Sequence, residues 1–116
     1  MDDFSKRIAA GQSVEVTHCV NRKLFPVGRL AIDINVYERY VQWDSSASRS
    51  SGVWLEEEQR LHALLQAAAD VKRHEAPAYF LVRVVAADSG QGIENKTGFH
   101  LRQIANGTQL NWLITA

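Results

Sequence analysis

Between Gly28 and Trp43 the side chains alternate, and few patterns constrain a fold more tightly. Leu30, Ile32, Ile34 and Val36 share one parity, and Arg29, Asp33, Asn35, Tyr37 and Arg39 share the other. Successive residues of a strand face opposite sides of a sheet, so this spelling predicts one buried face and one wet face. Glu38 then falls on the apolar parity, and Val41 and Trp43 fall on the polar one. Either a β-bulge near residues 37–39 shifts the phase, or one strand ends and another begins; the preferred expectation is a long, bent strand.

The rest of the chain supplies what such a strand would pack against. Residues 2–10 read as a short helix, with Asp2 or Asp3 as cap, Phe4 and Ile8 on one face and Gly11 as the stop. A strand is expected over Ser13–Val20. Asp44–Ser51, spelled DSSASRSS, predicts a mobile surface loop, and Gly52–Leu55 a further short strand. In Glu56–Arg73, Leu61, Leu64, Leu65, Ala68 and Val71 make one apolar helical stripe. Glu56, Glu57 and Glu58 crowd the start of that helix and Lys72, Arg73 and His74 its end, both favourable to the helix dipole, and Pro77 stops it.

Three strands are expected after the helix, at Tyr79–Ala86, Phe99–Ala105 and Gln109–Thr115. A polar loop at 88–98 separates the first two, and Asn106-Gly107 marks a hairpin between the last two. The fold class is therefore α+β: a mostly antiparallel sheet of five to six strands packed on one long helix, with a short N-terminal helix. Residues 1–116 make a single domain. The last strand, Leu110–Ala116, is expected at a sheet edge, where a homodimer could form by strand pairing.

Composition narrows the function. Thirteen Lys and Arg balance thirteen Asp and Glu. A dedicated duplex-DNA binder usually carries a basic excess, so neutrality points towards a protein partner. The single cysteine, Cys19, has no internal disulfide partner. The acidic start and the lack of an 18-residue apolar run predict a cytoplasmic protein with no membrane contact. His18, His62, His74 and His100 form neither an HxH nor an HExxH pair, so no metal is expected. Asp88–Gly92 lacks the spacing of a phosphate loop, and no cofactor is expected. The chain is read as non-enzymatic. An enzyme without a motif would have to use His18, His100 or a carboxylate pair in a pocket.

Tyr37, Arg39, Tyr40 and Trp43, with Arg49 of the Ser-rich loop, form the candidate partner-binding surface, because Tyr, Trp and Arg dominate interface hot spots. The leading expectation is a protein-binding module: a small regulator, inhibitor or immunity-type protein. The alternative is a single-stranded nucleic-acid binder. It would use Arg22, Lys23, Arg29, Arg39 and Trp43, with cations tracking phosphates and rings stacking on bases.

Residues 28–66 carry one resemblance. Gly28-Arg29-Leu30-Ala31-Ile32-Asp33-Ile34, then Tyr37, then Ser51-Gly52-Val53-Trp54-Leu55 leading to Glu58-Gln59, resemble the positive-cofactor-four family of single-stranded-DNA-binding transcriptional coactivators. The resemblance implies a curved antiparallel sheet and a dimer that grips DNA strands through its sheets. This chain departs from the family pattern at Asn35, where the family has Arg, and at Glu38, where it has an aromatic residue. Its basic loop is reduced to Arg49 among serines, and three further strands follow the helix.

Overall fold

The structure is a computed structural model that describes residues 3–19, 28–71, 78–90, 92–106 and 109–116. The side chains of Cys19, Val71, Ala105, Asn106, Gln109 and Leu110 are outside this description, as are Arg22, Lys23, Lys72, Arg73, His74, Pro77 and Gly107. The order is α1 (Asp3–Ala9), β1 (Ser13–Glu15), a 3-10 turn (Thr17–Cys19), β2 (Leu30–Asp33), α2 (Ile34–Tyr40), α3 (Ser45–Ser51), α4 (Glu57–Val71), β3 (Ala78–Val84), β4 (Asn95–Asn106) and β5 (Gln109–Thr115). The α+β class holds, with five strands in one sheet of order β1-β2-β5-β4-β3. No described helix is long and apolar enough to cross a membrane.

Two features of the sheet correct the expected architecture. First, β2 and β5 run parallel, with Leu30 opposite Trp112 and Ile32 opposite Ile114, so the sheet is mixed. Second, β5 lies between β2 and β4 and is not an edge. The edges are β1 and β3. The β4–β5 hairpin is present, with Asn106 opposite Gln109.

The segment 28–56 differs most from expectation. The expected bent strand stops at Asp33, whose carboxylate accepts a hydrogen bond from Asn35 N–H at 3.1 Å and caps α2. Val36, Tyr37, Tyr40 and Val41 then recur at helical spacing, and all four lie in or against the main core. The phase shift near 37–39 is thus a change of period from 2 to 3.6, with no bulge. The Ser-rich segment is a helix as well. Asp44 caps it by accepting from Ala47 N–H at 2.8 Å. Gly52 closes it in the left-handed conformation (φ 78°), donating its N–H to the Ser48 carbonyl. Residues 53–56 form no strand, and β1 ends at Glu15, short of the expected Val20. The described residues therefore form four α-helices, where one long and one short were expected.

The two sheet faces are covered unequally. On the inner face, Leu64, Leu65 and Ala68 of α4 and Val36 and Tyr40 of α2 pack on Ile32, Phe80, Phe99, Leu101 and Ile114. Tyr40 meets Phe99 edge-on, with ring centroids 5.2 Å apart. On the outer face, Phe4 of α1 buries against Ala31 and Leu113, flanked by Ile8 and Ile104. A third cluster joins Trp43 and Ala47 to Val85.

Arg60 of α4 ties these parts together. Its guanidinium donates to the carbonyls of Val41 (3.0 Å), Arg39 (3.1 Å) and Val85 (2.8 Å), and lies 4.9 Å from the Trp43 ring centroid. Burial pushes its pKa down, and Glu57 nearby opposes that shift. One side chain thereby donates to carbonyls at the end of α2 and just past β3, of which that of Arg39 also accepts from Ala87 N–H at 2.7 Å.

Candidate functional site

The structure disperses the expected 29–43 surface. Tyr40 and Trp43 are core residues, 8% and 1% exposed. Trp43 donates its indole N–H to Ser48 Oγ and the Val53 carbonyl, so even its polar edge is turned inward. Tyr37 is half-buried beside α4. Arg39 is exposed and pairs with Asp88 at 3.2 Å, and Arg49 is exposed on α3. Helix α2 turns the Tyr37 and Tyr40 rings towards the core, while the Arg39 guanidinium, 5.2 Å from the Tyr40 ring centroid, stays in solvent. Tyr40 and Trp43 are therefore not available to a partner.

Of the cations expected to hold nucleic acid, Arg22 and Lys23 lie outside the described residues. Arg29 is taken up in the fold: its guanidinium grips both carboxylate oxygens of Glu15, at 2.6 and 2.9 Å. It also donates to Ser5 Oγ and stacks 4.9 Å from the Phe4 ring centroid. The Arg29 guanidinium, helped by the Thr17 hydroxyl, holds the Glu15 carboxyl down to about 2.

A different surface takes the place of the expected one. Alternation along β3 and β4 places Tyr79, Leu81 and Arg83, and Lys96, Gly98, His100 and Arg102, on the outer sheet face. None of these residues is an acid, and no described ion pair engages Arg83, Lys96 or Arg102. Tyr79 and Leu81 are 59% and 53% exposed. The hydroxyl end of the Tyr79 ring lies against Gly98, where a Cβ would run into it, and the ring centroid is 5.1 Å from that of His100. Glycine thus leaves the bed on which this ring rests.

At the Arg83–Lys96 end of these strands a second apolar group begins. Val53 nearly touches Gly92, where a Cβ would come within 2.9 Å of Val53 Cγ2. Val53, its neighbour Trp54 (66% exposed) and Ile93 are all in solvent. These three, with Tyr79 and Leu81, are the exposed large hydrophobic residues among those described. Sequence reasoning missed this surface, although the parity that sends Phe80, Val82 and Val84 inward also sends Tyr79, Leu81 and Arg83 outward.

One cleft of about 890 Å³ opens between the 3-10 turn and the start of α4, lined by His18, Tyr37, Glu56, Glu57, Glu58 and His62. His100 stands on the outer sheet face, away from the cleft that His18 lines. No group of three metal-ligating side chains forms among the described residues. No protein-family model, curated protein or solved structure significantly matches this chain.

Proposed function

We propose that this chain is a non-enzymatic binding domain that engages another protein through the outer face of β3 and β4. The observation that carries this reading is the exposure of Tyr79 and Leu81 beside Arg83, Lys96 and Arg102, which form no ion pair among the described residues, with the exposed Val53, Trp54 and Ile93 beyond the Arg83–Lys96 end of the strands. Exposed apolar side chains that cluster, with Tyr, Trp and Arg among them, are the usual composition of a hot spot. The absence of carboxylates on this face selects a partner surface that is apolar with an acidic rim. The partner, once isolated on the wild-type chain, is titrated directly against Trp54→Ala and Leu81→Asp. Each variant should lose about 2 kcal/mol or more of binding. A partner that binds both variants as tightly as wild type sinks the reading.

A second reading rests on Tyr79. A largely exposed ring braced on glycine, on a strand face that also carries Arg83, Lys96 and Arg102, suits stacking by a base, and such platforms hold single-stranded nucleic acid. Here binding to an oligonucleotide should weaken steeply with added salt and fall further in Tyr79→Ala. No binding at low salt removes this reading and leaves the protein partner.

A further inference from the structure

The free edge of the sheet supports an inference that does not depend on what the outer face binds. Edge strands are normally blunted by shortness, bulges, Pro or inward-pointing charges. The β1 edge follows this rule: it has three residues and turns at once into a 3-10 turn. The β3 edge does not. It runs for seven residues, pairs with β4 at every position without a bulge, and points no charge inward. Its inner side also ends unfinished, because Val82 is only partly buried between the buried Phe80 and Val84.

We propose that a second copy of this chain pairs with β3 in antiparallel fashion, about a two-fold axis at Leu81, to form a homodimer with one continuous sheet. Leu81 is the midpoint of Ala78–Val84, so this register pairs the whole strand with itself. On the outer face Leu81 meets Leu81 of the second copy, and Tyr79 meets Arg83, an aromatic face opposite a cation in both halves. The two Arg83 side chains stand four positions apart, about 13 Å along the strands. That distance exceeds the screening length of roughly 8–10 Å at ordinary ionic strength. On the inner face Phe80 meets Val82 and Ala78 meets Val84, which covers the half-open Val82. No like charges are opposed anywhere in the pairing. A register centred on Phe80 puts Arg83 opposite residue 77, off the strand, and one centred on Val82 sets Ala78 and Tyr79 opposite residues 86 and 85, past the end of the strand.

The test is the mass of the intact chain in solution, by light scattering and sedimentation over a wide range of concentration. Wild type should be a dimer that dissociates on dilution. Leu81→Lys places two cations on the axis and should weaken the dimer at least about tenfold. Leu81→Glu should do the same. Mixing the two variants should restore a dimer containing one copy of each, which a mere folding defect could not do. Trp54→Ala should leave dimerisation unchanged, so loss of partner binding and loss of the dimer are separable. A wild-type chain that stays monomeric, a Leu81→Lys dimer as tight as wild type, or a mixture that fails to pair would each overturn the proposal.

Discussion

Over β2 and β5 the outer sheet face carries Ala31 and Leu113, both buried beneath Phe4 of α1. Over β3 and β4 the same face carries Tyr79, Leu81, Arg83 and Lys96, all in solvent. Two of the arginines on this face make the same contrast. Arg29 is clasped by Glu15 and stacked on Phe4, whereas Arg83 meets no ion-pair partner among the described residues. A seven-residue helix can roof only part of a five-stranded sheet, at about 1.5 Å of helix per residue against nearly 5 Å between strands. No described residue roofs the remaining part, which is the surface proposed above for a partner.

The largest test of this contrast removes the roof. Phe4→Ala should destabilise the fold by about 3–5 kcal/mol, the usual cost of emptying a buried aromatic site. Leu81→Ala should stay within about 0.5 kcal/mol in the same urea titration, run dilute enough that the chain is monomeric. Comparable losses at the two positions would mean that the bare half is covered after all.

The next test concerns what holds the bare half in place from below. Arg60→Met removes three charge-assisted hydrogen bonds and leaves the carbonyls of Arg39, Val41 and Val85 without that donor. Unfolding should become easier by about 2–3 kcal/mol, and amide exchange should rise at the end of β3. A neutral Arg60→Met would show that the inner core alone holds this strand.

A smaller effect is expected on the bare face itself. Gly98→Ala forces the Tyr79 ring off its bed and should cost about 1 kcal/mol. The Tyr79–His100 ring contact should vanish from nuclear Overhauser spectra while signals from Phe4 stay in place.

The smallest effect lies in the roofed half and depends on pH. The Glu15 carboxyl is held at about 2, below an ordinary value of 4.5. A depressed folded-state pKa means that the stabilisation is fully present above about 4.5 and is lost as pH falls from there towards 2. Glu15→Gln should therefore flatten the acid limb of the stability curve in that window and leave stability above it nearly independent of pH. An acid limb unchanged by the substitution would remove the Glu15–Arg29 pair from the account.

Much of the framework was legible from spacing alone. The α1 pair Phe4 and Ile8, the 61/64/65/68 stripe of α4 and the three last strands follow from periodicity, because each buries one face and needs nothing distant to define it. The caps of α2 and α3 were also present in the sequence, as Asp33, Asp44 and Gly52. Each was outweighed, in one case by apolar alternation over 30–36 and in the other by serine content over 44–51. Four alternating residues fit a strand and the first turn of a helix equally well, and a serine-rich segment becomes helical once Ala47 and Trp43 have a pocket to fill.

The candidate site was less legible, for a different reason. That Tyr79, Leu81 and Arg83 share a face follows from the strand period. That Lys96, Gly98 and His100 lie beside them depends on register, and that no helix covers them depends on where α1 docks. The sequence by itself determined which residues pair in period along each element, since a dihedral repeat is a local property of the chain. Only the tertiary structure decided that β5 inserts beside β2, that Tyr40 and Trp43 turn inward, and that β3 ends the sheet with its outer face bare. Those outcomes depend on contacts between residues far apart in the chain, and no local repeat encodes them.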